Sequence, residues 1–279
     1  MMKVNFFSAT WFCFALLTSQ AILAKGSSAL LEKKLNIAVS ANFAPTLKKL
    51  LPKFEQQSGI NTQLFIGSTG NLFQQIHHGA PFDIFIAADK LRPSRLVAAG
   101  LALENSLKTY AFGTISFWSS SWQSDNKTKN NLPTFQSLLQ EIQANSLRMA
   151  IANPAIAPYG VAAKQTLETT ELWPKISSKR LIMGSNINQT FQQVRSGAVA
   201  LGILADSQLI LNNLSGIKIP NQYYQPIEQQ LVILSGSKNI SPSQSLSDYL
   251  LSRESQQIIA SLGYQPVIPF ISLKGRDND

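Results

Sequence analysis

The chain has 279 residues, 44% of them hydrophobic and 14% charged, with a formal net charge of +9 from 24 Lys and Arg against 15 Asp and Glu. That is ordinary globular composition, with enough apolar content for one large or two smaller domains, and it excludes long disordered stretches. A single cysteine excludes a disulfide framework. The basic residues are scattered, with no arginine–aromatic run, which argues against nucleic acid as a partner.

The N-terminus reads as a processing segment. Lys3 precedes the apolar run from Trp11 to Leu17, and Thr18-Ser19-Gln20-Ala21-Ile22-Leu23-Ala24 supplies small residues at cleavage points. This is the pattern of a secretory signal over residues 1–24, cut after Ala21 or Ala24. The competing reading is a membrane anchor, but the run is far shorter than the ~20 residues a spanning helix needs. Cys13 lies in the apolar centre, and Thr10-Trp11-Phe12 before it does not resemble a lipid-attachment site. Removal of the signal leaves no thiol nucleophile and no cysteine metal site.

Apolar runs then alternate with amphipathic ones. Strands are expected at 35–39, 62–66, 83–87, 112–118, 148–152, 180–183, 200–204 and 230–234. Helices are expected at 43–57, 69–78, 91–98, 134–143, 159–170, 188–196, 205–212, 243–251 and 253–261. Such alternation predicts an α/β fold with parallel sheets covered by helices. In the first helix Phe43, Leu47, Leu50, Leu51 and Phe54 recur at intervals of three and four, with Lys48, Lys49 and Lys53 between them. Pro45 suits its first turn, and Ser58-Gly59 ends it. Residues 119–131 are polar and turn-rich, and read as a surface loop.

Two strand–turn–helix units stand out. One turn is Ser40-Ala41-Asn42-Phe43 and the other is Gly67-Ser68-Thr69-Gly70-Asn71. Each puts small hydrogen-bonding residues at a helix N-terminus, where unpaired N–H groups and a partial positive charge attract anions. Asn42 can donate through its amide, or act as a plain N-cap. Ser68 and Thr69 offer hydroxyls between glycines that let a ligand approach the backbone. Alternatively they form only a capping turn.

These two turns, the block Gly79-Ala80-Pro81-Phe82-Asp83-Ile84-Phe85-Ile86-Ala87-Ala88-Asp89, Asn153-Pro154 with Ala157-Pro158-Tyr159-Gly160, Ala200-Leu201-Gly202-Ile203-Leu204-Ala205, and Gly263-Tyr264 occur in an order that resembles the periplasmic molybdate-binding proteins of ABC transporters. The resemblance runs over nearly all of the chain after its first thirty or so residues. It implies a two-lobe type II periplasmic binding protein, each lobe a mainly parallel sheet flanked by helices, with the ligand cleft between the lobes. Lobe one would be discontinuous, residues 30–116 and 231–275, and lobe two would be 117–230. The crossings would lie near 113–118 and 229–234.

The same resemblance implies a ligand set of Asn42, Ser68, Thr69, Tyr159 and Ile187, the last through its backbone N–H. Either Ser68 or Thr69 would supply the side-chain hydroxyl. The chain departs from some family members in having Ala205 where they use a tyrosine; Tyr159 would compensate. The implied ligand is molybdate or tungstate, with no cofactor and no direct cation ligand. The implied setting is the periplasm, a monomer, and delivery to the membrane permease of an ABC transporter.

Other readings are weaker. His77-His78 face different directions on a helix and have no carboxylate at metal spacing, so a solvated helix end is expected. Asp83 and Asp89 read as structural, since a carboxylate repels an anion. No G-x-S-x-G elbow, P-loop or H-E-x-x-H run supports a hydrolase. Sulfate, phosphate or another small solute remains the alternative ligand.

Overall fold

The computed structural model describes residues 34–124, 132–145, 147–176 and 180–267. The expected signal at 1–24 and the end of the polar loop at 125–131 lie outside the described residues. In chain order the elements are β1 (Leu35–Ser40), α1 (Ala44–Ser58), β2 (Thr62–Gly67), α2 (Thr69–His77), β3 (Ile84–Ile86), α3 (Leu91–Ala98), β4 (Lys108–Gly113) and β5 (Ile115–Trp118). Then come α4 (Ser121–Ser124), α5 (Phe135–Ala144), β6 (Met149–Ala152), α6 (Pro158–Thr169), β7 (Leu181–Gly184), α7 (Ile187–Arg195), β8 (Leu201–Ala205) and α8 (Asp206–Leu211). The described chain closes with β9 (Ile217–Lys218), β10 (Ile227–Ile233), α9 (Ile240–Leu251) and α10 (Arg253–Ser261).

The strands form two mixed sheets, in the orders β2-β1-β3-β10-β4 and β7-β6-β8-β5-β9. In the first, β2, β1 and β3 are parallel and β10 runs antiparallel to both β3 and β4. In the second, β7, β6 and β8 are parallel, while β5 is antiparallel to β8 and β9. Each sheet carries a parallel half that needs helices on its faces, which is why β1, β3, β6 and β8 are nearly continuous apolar runs. All of β3, β6 and β8 is buried.

Local chemistry explains the helices next to the cleft. α1 buries Leu47, Leu50, Leu51 and Phe54 and leaves Lys48, Lys49 and Lys53 exposed. Each fully buried Leu contributes roughly 1.5–3 kcal/mol. Gly59 at φ +69° accepts the left-handed conformation that stops the helix. Pro52 sits inside α1 on its exposed side, where it removes one helical hydrogen bond.

The single strand expected at 112–118 is two. The chain leaves the first sheet at Gly113 and enters the second at Ile115, with Thr114 between them. The Thr114 hydroxyl donates to the Gly263 carbonyl at 3.0 Å. The strand expected at 230–234 begins at Ile227 and pairs within the first sheet along its length. Aromatic and β-branched residues dominate 111–118, and Gly113, the last residue of β4, is the one strand-weakening position that marks the break between sheets.

Candidate functional site

Four helices begin at the C-terminal ends of parallel strands and aim their N-termini at one point. α1 and α2 follow β1 and β2 of the first sheet; α6 and α7 follow β6 and β7 of the second. In open α/β sheets this is where ligands bind. The cavity there is lined by Ser40, Ala41, Asn42, Ser68, Thr69 and Ala88 from the first lobe and Ala157, Pro158, Tyr159, Asn186 and Ile187 from the second. All five residues singled out in the sequence therefore meet around one space. The space the cavity encloses is small, about 10 Å³. No Lys, Arg, Asp or Glu lines it.

The hydroxyls at this cavity share one arrangement. Ser68 caps α2, its Oγ accepting the Asn71 N–H at 3.2 Å. Thr69 Oγ1 accepts the Ala88 N–H at 3.1 Å. Tyr159 Oη lies 3.4 Å from Gln229 Nε2, from which it accepts, and 3.5 Å from Asn42 Nδ2. Each oxygen is occupied by a protein donor, and none of the three protons has an acceptor among the described residues. A hydroxyl has one proton to give, so each is left to donate into the cavity. Ser40 is the exception: its hydroxyl donates to the Ile86 carbonyl at 3.0 Å and holds β1 to β3.

The backbone adds further donors. The N–H groups of Asn42, Thr69, Tyr159 and Ile187 have no acceptor among the described residues. Three belong to first helical turns, whose N–H groups have no intrahelical partner. Ala41, Ala88 and Ala157 keep the approach to these groups open. In α7 the Asn186 side chain accepts the N–H groups of Asn188 and Gln189 at 2.9 and 3.0 Å, passing over Ile187 between Asn186 and Asn188. Gln208 on α8 braces that turn, donating to the Ile187 carbonyl at 3.2 Å and to Asn188 Oδ1 at 2.7 Å.

Asn42 is not the N-cap of α1. The cap residue is Phe43, which makes no side-chain capping bond. The Asn42 amide instead donates to Gln229 Oε1 at 2.7 Å. Burial pushes the Tyr159 phenol well above its ordinary pKa of 10.0, with Tyr264 and Tyr110 adding to the shift, so it stays a neutral O–H donor. Asn186 lines the cavity although the sequence reading passed over it; an Asn immediately before an apolar-periodic run is an N-cap signal. Ala205 is wholly buried at the end of β8 and does not line the cavity. His77 and His78 are exposed at the end of α2, where His78 Nδ1 meets the Gln74 carbonyl at 2.7 Å. Asp83 accepts from Asn36 N–H, Ser237 and Asn239, a structural role away from the cavity.

The lobes also touch each other directly beside the cavity. The Gly70 N–H, in the first turn of α2, donates to the Ile156 carbonyl at 2.8 Å. A Cβ at Gly70 would stand 2.9 Å from the Ile156 backbone. Arg92, ion-paired with Asp89, reaches the Ala155 carbonyl at 3.2 Å. A larger groove of about 340 Å³ lies alongside, lined by Asp89, Lys90, Arg92, Val161, Gln165 and Glu228 among others. Its cations are already paired, Lys90 with Glu228 at 2.9 Å and Arg92 with Asp89. The smaller cavity differs in having unspent donors and no charged side chain.

Residues 35–265 match the family of bacterial extracellular solute-binding proteins. The chain is 35% identical over 236 residues to the molybdate-binding protein ModA of Azotobacter vinelandii, covering 83% of this chain and 89% of that one. It is 30% identical over 228 residues to ModA of Rhodobacter capsulatus, covering 81% and 86%. The solved periplasmic molybdate-binding protein of Azotobacter vinelandii superposes with a TM-score of 0.74 at 32% identity, over 85% of this chain and 100% of that one. With these matches and a two-lobe type II architecture, the chain belongs to the bacterial extracellular solute-binding protein family.

Proposed function

We propose that this chain binds molybdate, and tungstate with it, in the periplasm and delivers it to the membrane permease of an ABC transporter. The observation that carries this reading is the convergence of four helix N-termini and three uncommitted hydroxyl protons on one cavity with no charged side chain. Oriented N–H and O–H dipoles in a desolvated space stabilise an anion without a lysine or arginine. The ligand residues are Asn42, Ser68, Thr69, Tyr159 and Ile187, joined by Asn186. Binding is the whole activity, without catalysis or cofactor, and the protein acts as a monomer. The relatives named for molybdate support the choice of ion.

Selectivity has two parts in this reading. A ligand that still carries a proton brings a donor to a wall of donors, which disfavours protonated phosphate. Selection of molybdate over sulfate, an ion of equal charge and smaller size, depends on how the two lobes fit around the ion. The lobes divide where the chain passes between sheets, and they close by a hinge motion that the ligand stabilises. A signal over residues 1–24 directs export, so the mature protein begins between residues 22 and 25. N-terminal sequencing of periplasmic protein checks this last point; an intact Met1 in the membrane fraction contradicts it.

Calorimetric titration with molybdate, tungstate, sulfate and phosphate tests the function. Tight binding of the first two alone is expected. Equal binding of all four removes the selectivity, and no heat with molybdate removes the function.

A further inference from the structure

Gln229 is fully buried on β10, a strand whose other buried residues are Ile227, Leu231, Val232 and Ile233. It sits at the one register shift of the β10–β4 pairing. A glutamine in such a place needs partners for both ends of its amide, and it has them. Its Oε1 accepts from Asn42 Nδ2 at 2.7 Å and lies 3.1 Å from the Tyr110 hydroxyl. Its Nε2 faces Tyr159 Oη at 3.4 Å. Asn42 and Tyr159 are the first-lobe and second-lobe donors of the cavity. Gln229 therefore joins the two halves of the site from behind, without lining the cavity.

The direction of every bond in this chain follows from one backbone carbonyl. The Asn42 carbonyl can only accept, and the Tyr264 hydroxyl donates to it at 2.9 Å. That spends the Tyr264 proton, so the Asn42 amide must turn its N–H side to the Tyr264 oxygen, 3.5 Å away. The same Nδ2 then faces Gln229, which must answer with its oxygen. Its nitrogen is left for Tyr159. The Tyr159 oxygen has to accept, and its own proton points elsewhere. A Cβ at Gly113 would stand 2.3 Å from Tyr159 Oη and 3.1 Å from Gln229 Nε2, so the phenol enters the first lobe through a gap that only glycine leaves.

Resting on the reading of the cavity as an oxyanion site, we propose that Gln229 is the positioning residue that makes Tyr159 a donor: its amide N–H occupies the phenol oxygen and turns the phenol proton onto the ligand. Selectivity for fully deprotonated ions then depends on a side chain that never touches them.

The test replaces Gln229 by Glu and by Met in the mature protein and titrates molybdate from about pH 6 to about pH 9. The titratable groups facing Gln229 are Tyr110 on β4 and Tyr159 on α6, with Tyr264 beyond Asn42. The charges whose fields reach these phenols are Asp89 and Asp206, both acidic. A carboxyl introduced there meets no cation among these groups, and burial raises such a carboxyl by as much as 3–5 pH units.

The parent should bind with flat affinity over this range. Gln229→Glu should bind close to the parent at the acid end, where its neutral O–H replaces the amide N–H. It should lose affinity as the carboxyl ionises and takes the Tyr159 proton for itself. Gln229→Met should be weaker by about 10–100-fold at every pH, as for the loss of an outer-layer partner of a ligand group. Added to Tyr159→Phe, it should cost little more, since both act through one hydroxyl.

A Gln229→Glu protein whose binding follows the parent at all pH values overturns the proposal. So does a Gln229→Met protein of parental affinity, or one whose loss simply adds to that of Tyr159→Phe. If Gln229→Glu fails to fold, judged by its melting curve, the Met and Tyr159→Phe cycle decides alone. Those failures leave the oxyanion reading intact so long as the parent binds molybdate; a parent that does not bind it overturns both.

Discussion

The two lobes build their halves of the cavity differently. The first lobe offers Asn42, Ser68 and Thr69, each tied to its own lobe by a hydrogen bond to Gln229, Asn71 or Ala88. These hydrogen bonds hold that half of the cavity in place within its own lobe. The second lobe contributes the N–H groups at the starts of α6 and α7 and one long phenol, and that phenol finds its partners in the first lobe. Complete assembly of the donor set therefore requires the lobes to be together. The direct contacts of Gly70 with Ile156 and of Arg92 with Ala155 belong to that same closed arrangement.

The comparison is broken most severely by blocking the docking of one half on the other. Gly113→Ala places a methyl group where the Tyr159 hydroxyl lies, and should weaken molybdate binding by about 100-fold or more, at or above the upper end of the ~1.5–3 kcal/mol that one hydrogen bond to a charged group is worth. Gly70→Ala, which presses on the Ile156 backbone, should weaken it by roughly 10–100-fold, in line with overpacking costs of ~1–3 kcal/mol. Small-angle scattering should show both variants more open with molybdate present than the parent is. A parental affinity for either would mean that the lobes do not close on the ligand in this way.

Removal of single donors comes next. Tyr159→Phe should reduce affinity by about ten- to a hundred-fold in calorimetry, and Asn42→Ala should reduce it by unseating Gln229, since its amide protons go to Gln229 and Tyr264 and its backbone N–H is the group left for the ligand. Ser68→Ala should reduce affinity and also lower the melting temperature, because the N-cap of α2 is lost at a cost of ~0.5–2 kcal/mol. Ile187→Ala should change affinity less, since alanine keeps the N–H, and His77→Ala should change it little. If His77→Ala loses binding while the others keep it, the site lies elsewhere.

The smallest effect concerns pH. Burial raises the phenols of Tyr264 and Tyr224 from 10.0 to about 12. The unfolded chain ionises these groups first, so their contribution to stability is full below pH 10.0 and is lost as the pH rises to about 12. Alkaline melting curves should fall across that window, and Tyr264→Phe should flatten part of the fall.

The first lobe's half-site was legible in the sequence because its chemistry is local. Small polar residues between a β-prone run and an amphipathic run mark a strand–turn–helix unit within about ten residues. The periodic stripe of α1 was equally plain, and the helix runs on through Pro52. The second lobe's half needed the family resemblance: Tyr159 and Ile187 carry no signal of their own beyond a helix start. Gln229 was not legible at all, because its partners lie 187, 119 and 70 residues away and only the fold brings them together. The break at Thr114 was marked only by Gly113 before it, in a run that is otherwise β-prone on both sides.

The most direct test is a crystal structure of the mature protein with molybdate, located by anomalous scattering from molybdenum. The account predicts one strong peak in the small cavity, within hydrogen-bond reach of Asn42, Ser68 or Thr69 and Tyr159, and of the Ile187 N–H. A peak in the neighbouring groove beside Lys90 and Arg92, with the small cavity empty, would contradict it.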